Sequence, residues 1–266
     1  MTQPVDLQTD RPHPARVYQY WLGGKDNYAA DRELGDKMAQ LLPSLPGAAR
    51  ANRGFMLRSS RYLAGELGIR QFLDLGTGLP LAPNLHEVVQ QIEPGSRVVY
   101  VDNDPIVLIH ARALLTSHPD GATAYLDSDI RNPEMVLTAA RDSLDLDQPV
   151  AVSLIAITQL IPDDAQVRAI LDALMGPLCP GSTLSLSAIT ADSDPDQVGA
   201  AVRAAHAQGI PVTPRTRAQT AAMFTGLDLV DPGVVLAHRW HPDQDTPNLD
   251  DHDVHVYTGV AIKPAG

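Results

Sequence analysis

Short apolar runs alternate with segments of helical spacing over most of this 266-residue chain. The runs lie at residues 71–75, 98–101, 124–126, 150–157 and 183–187. The fourth run is almost entirely apolar, as expected for a strand that is buried on both faces of a parallel sheet. Because helical patterns separate the runs, the sequence predicts parallel strands joined by right-handed helical crossovers.

Helix start signals stand between these runs. Asn84 and Glu87 have the spacing of a capping box, and apolar residues recur at helical spacing over residues 85–92. Asp104 followed by Pro105 predicts the start of the next helix, since proline is favoured in the first helical turn.

The end of the chain breaks the alternation. Residues 234–237 and 254–262 have strand patterns with no helical pattern between them. Such a pair predicts an antiparallel edge on an otherwise parallel sheet. The fold class predicted is α/β: a seven-stranded, mostly parallel, doubly wound, Rossmann-like sheet with an antiparallel edge strand.

The N-terminal residues have a different character. Up to residue 67 the pattern is helical but interrupted at Gly23, Gly24, Pro43 and Pro46, which predicts two or three short helices. We expect residues 1–67 to form a helical cap or lid and residues 68–266 to form the α/β part of one structural domain.

The charge balance narrows the choice of partners. With 32 acidic and 20 basic residues, the formal net charge is −12. Such a chain repels polyphosphate backbones, so we expect no nucleic-acid partner. Arg50, Arg53, Arg58 and Arg61 form the only basic cluster; it could act as a local basic patch, and a solvated helix face is at least as good an interpretation.

Other features bear on location and metal binding. The single cysteine, Cys179, allows no internal disulfide, and the N-terminus lacks a secretion pattern. The apolar run at 149–162 is too short to cross a bilayer. We expect a soluble cytoplasmic protein with no membrane partner. Residues 250–255 have metal-ligating types, but without a second cluster at a recognised spacing we expect no metal site.

The strongest chemical signal follows the first strand, where Asp74 precedes Gly76, Thr77 and Gly78. In open α/β sheets ligands bind outside the carboxyl ends of strands, and glycines let the backbone approach them. A dinucleotide fingerprint requires a third glycine three positions after Gly78, where this chain has Leu81. A ligand without a pyrophosphate therefore fits better.

Acidic residues also stand at the tips of the second and third strands. Asp102, followed by Asn103, ends the strand beside the glycine turn, where a carboxylate can accept both hydroxyls of a ribose. At the third tip, Asp129 can accept from an exocyclic amine while the Ile130 N–H donates to a ring nitrogen. The three acidic tips describe a slot for adenosine.

These features together resemble class I S-adenosylmethionine-dependent methyltransferases. More narrowly, the chain resembles a bacterial family of candidate methyltransferases long catalogued as a domain of unknown function, from about Arg16 to Pro264. The resemblance is carried by ARVY at 15–18, LGGKDNY at 22–28, ANR at 51–53, FLDLGTGLP at 72–80 and VYVDNDP at 99–105.

The resemblance implies the fold, S-adenosylmethionine as cofactor and a helical N-terminal cap, but it supplies no acceptor. Members of the family usually carry a histidine after the fourth strand, where this chain has Gln159. No general base is therefore carried over. An amine or phenolate needs no strong base whereas an alcohol does, so Gln159 favours a nitrogen or an acidic oxygen as the methyl acceptor.

Further candidates come from the N-terminal segment and the helix after the glycine turn. Arg53 can pair with the methionine carboxylate, although it can also face solvent. Tyr18 and Tyr28, together with Gln159, are candidates for binding the acceptor. His86 is a weak candidate for a base, with a surface or packing role as the alternative.

Three functions remain open from the sequence. The first is a methyltransferase that acts on a small-molecule acceptor by in-line transfer, driven mainly by positioning. The second is a sensor or accessory protein that binds S-adenosylmethionine without turnover. The third is a nicotinamide-dependent oxidoreductase, which Leu81 and the strand-rich end of the chain disfavour.

Overall fold

A computed structural model of the chain describes residues 8–104, 106–107, 109 and 116–265. The α-helices in these ranges are α1 (Pro14–Trp21), α2 (Ala29–Leu41), α3 (Leu45–Gly65), α4 (Leu85–Ile92), α5 (Pro133–Ala140), α6 (Asp164–Met175), α7 (Pro195–His206) and α8 (Arg217–Ala222). The strands are β1 (Gln71–Leu75), β2 (Arg97–Asp102), β3 (Ala122–Asp127), β4 (Val150–Leu154), β5 (Thr183–Ile189), β6 (Asp228–Leu229), β7 (Val235–Leu236) and β8 (Val256–Ile262).

The strands form one sheet in the order β3-β2-β1-β4-β5-β8-β6, with β7 also paired to β8. β1 to β5 are parallel, whereas β8 runs antiparallel to β5, β6 and β7. The predicted antiparallel edge is confirmed. The predicted count of seven strands is wrong, because the sheet has eight among the described residues. The additional strand is β6, whose two residues are too few to show an alternating pattern, whereas β7 lies within the strand predicted at 234–237.

β4 shows why a parallel strand has an unbroken apolar sequence. All five of its residues are buried, and it lies between β1 and β5. The strand ends at Leu154 rather than at residue 157, where the apolar run ends. Ala156 has a φ of +59°, outside the range of a strand, so the backbone turns there despite the apolar side chains.

Helices cover both faces of the sheet, as a doubly wound fold requires. On one face α5 and α6 pack on the strands through Val136, Leu137, Val167, Ile170 and Leu174. On the other face α3 and α4 pack through Phe55, Met56, Leu63, Leu85 and Val89.

Two helix starts follow the sequence signals. The Glu87 carboxylate accepts from the Asn84 N–H at 2.5 Å, so the predicted capping box at α4 is confirmed. Asp104 Oδ1 accepts from the Ile106 N–H at 2.8 Å, in the manner of a helix cap. Pro105, which the prediction also used, lies outside the described residues.

The N-terminal helices divide into two groups. α1 and α2 share an apolar cluster with α7, which includes Val17, Leu34, Met38 and Ala205. α3 instead packs on a face of the sheet, where Phe55 belongs to the same cluster as the strand residues. The breaks predicted at the glycine pair and at the prolines do separate α1, α2 and α3.

The basic cluster is not the solvated face that the sequence suggested. Arg58 is buried, and its guanidinium donates to Trp240 O at 3.0 Å and to Ala237 O at 2.6 Å. The interpretation is wrong for this residue, because a segment about 180 positions later in the chain covers it and supplies two carbonyl acceptors.

Candidate active site

The strand order reverses between β1 and β4, since β2 and β3 lie beyond β1 and β5 lies beyond β4. In open α/β sheets such a switch point opens a crevice at the carboxyl ends of the strands. A cavity of about 410 Å³ lies there, and α1 covers it: Pro14, Ala15 and Val17 line the cavity together with Gly76 and Gly78.

The cavity brings together most of the residues that the sequence singled out. Those that line it are Tyr18, Arg53, Asp74, Gly76, Thr77, Gly78, Asp102, Asn103, Asp129, Ile130 and Gln159. Tyr28 and His86 are not among the lining residues.

The turn after β1 depends on its two glycines. Gly76 and Gly78 have φ angles of +69° and +67°, in the left-handed region. The Gly76 N–H donates to Val101 O at 2.8 Å, which ties the turn to β2. A Cβ on Gly76 would lie 2.1 Å from Ile157 Cδ1, whereas the atom nearest to a Cβ on Gly78 would be Ala15 Cβ at 3.8 Å. The backbone at Gly78 thus borders open space that a ligand can enter.

Two backbone donors orient the Asp102 carboxylate at the end of β2. The Gly78 N–H donates to Oδ2 and the Asp104 N–H donates to Oδ1, both at 2.9 Å. Burial raises the pKa of the Asp102 carboxyl, and these two donors oppose the rise. A carboxylate can accept about four hydrogen bonds, so both oxygens keep capacity for further donors. The arrangement fits a ligand with two adjacent hydroxyls.

Asp74 and Arg53 place opposite charges at the end of β1. Ser153 Oγ donates to Asp74 Oδ1 at 2.5 Å, from the neighbouring strand β4. Burial raises the pKa of the Asp74 carboxyl, while the Ser153 hydrogen bond and the charge of Arg53 act in the opposite direction. Arg53 Nη2 also donates to Leu81 O and Pro83 O, at 2.5 and 2.9 Å, so it braces the segment after the glycine turn.

Asp129, just beyond β3, is paired with Arg131. Arg131 Nε donates to both carboxylate oxygens, at 2.9 and 3.0 Å, and the Arg131 N–H donates to Oδ1 at 2.9 Å. The Arg131 side chain is the main cause of the lowered pKa of Asp129, and Asn103 adds to it. An exocyclic amine at this position would share the carboxylate with Arg131.

The residues that shape the turn after β4 were missed by sequence reasoning. The Ala156 N–H donates to Ser187 Oγ at 2.8 Å, which holds the positive φ of Ala156. The buried Arg215 guanidinium donates to Thr158 O and Ile161 O, both at 2.7 Å. Arg215 stands in a loop without a periodic pattern, so no local signal marks it.

Gln159 lies inside that turn. It is 8% exposed, and its Oε1 is buried without a hydrogen-bond partner. Its backbone oxygen accepts from the Thr213 N–H at 2.8 Å, so the main chain at this position is anchored. Ile157, two residues earlier, packs against Gly76, so the turn after β4 and the glycine turn are in contact.

The two predicted tyrosines have different surroundings. Tyr18 lines the cavity, and its hydroxyl donates to Ala49 O at 3.1 Å and accepts from Asn52 Nδ2 at 2.9 Å. Burial raises the pKa of this phenol. Tyr28 lies outside the cavity lining, where the Arg16 guanidinium sits 5.4 Å from the centre of its ring.

His86 does not line the cavity. Its Nδ1 lies 2.8 Å from the hydroxyl of Tyr100, whose backbone belongs to β2, and the residue is buried. Burial lowers the pKa of the imidazole. The surroundings of His86 correspond to the packing alternative rather than to a base at the site.

The acidic segment near residue 250 has partners within the protein. Asp251 Oδ1 lies 2.9 Å from His238 Nε2 and 2.9 Å from Arg239 Nε. Within the described residues, no group of three or more His, Cys, Asp or Glu side chains could hold a metal ion.

A doubly wound sheet with an antiparallel edge, a glycine turn after β1 and an oriented carboxylate at the end of β2 is typical of the class I S-adenosylmethionine-dependent methyltransferases. A family model described as S-adenosyl methyltransferase matches residues 1–264. The chain belongs to this family, and its cofactor is S-adenosylmethionine.

Solved structures agree with this assignment. A protein of the DUF574 family from Streptomyces avermitilis is 47% identical with a TM-score of 0.95, over 97% of this chain and all of that one. A candidate methyltransferase from Thermobifida fusca is 38% identical with a TM-score of 0.89, over 99% of both chains. The plantazolicin methyltransferase BpumL, solved with S-adenosylhomocysteine, is 11% identical with a TM-score of 0.54 over 94% of this chain and 96% of that one, and shares the fold.

No curated protein matches the sequence significantly. In the described part of the chain, no helix has both the length and the apolarity that a membrane crossing requires.

Proposed function

We propose that this protein transfers a methyl group from S-adenosylmethionine to a nitrogen or an acidic oxygen of a small molecule. The observation that carries the proposal is the open space in front of Gly78, bordered on one side by the Asp102 carboxylate and on the other by the turn after β4. Strand order places these features in line along the carboxyl edge of the sheet.

The residues at the edge suit the parts of the cofactor. Asp102 would accept from the ribose hydroxyls, because its oxygens are already oriented by backbone N–H groups. Asp129 and Ile130, beyond β3, would bind adenine, and Arg53, beside β1, would pair with the methionine carboxylate. When bound, S-adenosylmethionine supplies a methyl group on a sulfonium that is already activated for transfer.

The contribution of the protein to the reaction is then mainly positioning. Holding two reacting groups in an aligned geometry accounts for a large share of the acceleration of such displacements. α1 lines the cavity opposite the sheet and would keep water from the reacting atoms. Gln159, at the turn after β4, has no basic group, which favours an acceptor that does not need strong deprotonation.

The experiment has two parts. Titration calorimetry with S-adenosylmethionine, S-adenosylhomocysteine and NAD should show binding of the first two only. Incubation with S-adenosylmethionine and a panel of small amines and phenols should then release S-adenosylhomocysteine. Cofactor binding with no product over the whole panel would favour a sensor or accessory protein instead.

A matched pair of glycine variants tests the cofactor position. Gly78→Val should weaken S-adenosylmethionine binding by about tenfold or more, which is about 1.4 kcal/mol. Gly68→Val is the control. Gly68 has a φ of +66° and Gly78 has a φ of +67°, and a Cβ would fit at both positions. Both variants carry the same backbone strain, but only Gly78 lines the cavity. Equal affinities in the two folded variants would remove the glycine turn from the site.

A further inference from the structure

The cavity has two halves of different chemistry. Its charged lining residues, Arg53, Asp74, Asp102, Asp129 and Arg131, all lie towards β1, β2 and β3. The part beyond β4, which we call the acceptor half, is lined mainly by apolar side chains: Val17, Leu34, Met38, Leu160, Ile210 and Val212. A charged group in the acceptor half would lose its hydration without gaining an ionic partner.

Polar side chains in the acceptor half are few, and most are already engaged. Trp21 Nε1 donates to a backbone carbonyl at 3.1 Å, and the Tyr18 hydroxyl both donates and accepts within the protein. The Gln19 amide donates to Asp26 Oδ2 at 3.1 Å and accepts from Asn27 Nδ2 at 3.2 Å. These hydrogen bonds connect α1 with α2, with α3 and with the loop between α1 and α2.

Gln159 differs from these groups. Its Oε1 is buried and has no partner among the described residues. A buried carbonyl oxygen without a hydrogen bond is costly, so such a group in a native protein calls for an explanation. A donor on a bound molecule would satisfy it.

The position of Gln159 is also rigid. Arg215 holds the carbonyl groups of Thr158 and Ile161 on either side of it, and the Thr213 N–H holds its own carbonyl. A binding group is effective when surrounding hydrogen bonds fix it in place. Because Ile157 of the same turn packs on Gly76, Gln159 stands beside the glycine turn and therefore beside the cofactor position.

We propose that the acceptor half takes an uncharged, largely apolar molecule that donates an N–H or O–H to Oε1 of Gln159. This inference rests on the proposed function, since it names the substrate class of the same site. The Gln159 amide would bind the neutral acceptor through its N–H or O–H and orient it, and the proton would be released to water once the methyl group is transferred. The apolar wall would exclude carboxylates and ammonium ions.

Binding to the protein loaded with S-adenosylhomocysteine tests the proposal without relying on turnover. Three neutral probes, indole, 4-quinolone and 2-naphthol, would each be compared with their N- or O-methylated form and a carboxylated form, using ligand-observed NMR titration. At least one parent should bind about five- to tenfold more tightly than its methylated form, which lacks the donor, and the carboxylated forms should bind more than tenfold more weakly.

Variants decide whether Gln159 is responsible. In Gln159→Leu the preference for the parent over the methylated probe should disappear, while S-adenosylhomocysteine binds as in the wild type. Gln208→Leu, at an exposed position of the loop after α7, is the control and should keep the preference.

Three results would overturn the proposal: no parent probe preferred by the wild type, a preference that survives Gln159→Leu, or tight binding of a carboxylated probe. Absence of S-adenosylhomocysteine binding to the wild type, measured separately, would instead contradict the proposed function.

Discussion

At the residue scale, Asp102 joins the glycine turn to the cavity. Its oxygens hold the backbone N–H groups of Gly78 and Asp104, so the same carboxylate that lines the cavity also shapes the glycine turn. Because we propose that this carboxylate also binds the cofactor, a substitution must separate the effect on the fold from the effect on binding.

Asp102→Ala should weaken S-adenosylmethionine binding by about 1–3 kcal/mol, the usual cost of losing a charged hydrogen-bond partner. Asp104→Ala is the matched control, because Asp104 is equally buried and two residues away but does not line the cavity. Calorimetric titration of both folded variants checks the prediction. An unchanged dissociation constant in Asp102→Ala would place the ribose elsewhere.

At the scale of elements, the site depends on one side chain, that of Arg215, which connects two loops. Arg215 is 1% exposed and joins the loop before α8 to the turn after β4, and its Nε also donates to Asp164 Oδ1 at 2.7 Å, at the start of α6. A single side chain thus fixes the segment that carries Gln159.

Arg215→Met should lower the free energy of unfolding by about 3 kcal/mol, because it leaves buried carbonyl acceptors unsatisfied. Arg168→Met is the control: the Arg168 side chain is 37% exposed, and its ion pair with Asp172 lies on the surface. That variant should cost less than about 1 kcal/mol. Urea denaturation measures the free energy of unfolding of both variants. Equal decreases would show that Arg215 stabilises the fold no more than a surface arginine does.

At the scale of the whole molecule, three buried histidines of the described residues contribute to the response to acid. Burial lowers the pKa of His86, His238 and His255, although acidic neighbours oppose the shift in each case. In the unfolded chain a histidine titrates near about 6.5. Below that pH the unfolded state binds protons that the native state does not. The free energy of unfolding therefore decreases as the pH is lowered.

We therefore expect a lower urea midpoint at pH 5.5 than at pH 7.5, with an unchanged slope. The raised pKa values of Asp74 and Asp102 have the opposite effect, because these carboxyls bind protons more readily in the native state than in the unfolded state. This effect on the free energy of unfolding begins only as the pH falls towards the ordinary pKa range of a carboxyl. His255→Gln should reduce the loss between the two pH values, whereas substitution of the exposed His118 should not. Equal midpoints for the wild type at both pH values would contradict the prediction.

Local patterns were sufficient for the parallel strands, the capping box at Asn84 and the acidic tip at Asp102. Each of these depends on residues close together in the chain: an apolar run between helices makes a buried strand, and a glycine turn after it faces the ligand edge. The sequence therefore determined the class of fold and the residues that line the cavity at the ends of β1 and β2.

The remaining features were decided by contacts between distant segments. Arg58 is buried because the segment near Trp240 covers it, Arg131 takes up the oxygens of Asp129, and Arg215 reaches the turn after β4. The pairing of β6 with β8 likewise needs a neighbouring strand already in place. A local pattern records only which side of its own element is apolar. Which distant group covers, pairs with or clamps a residue depends on how the finished elements pack, and here that packing shaped the acceptor end of the cavity.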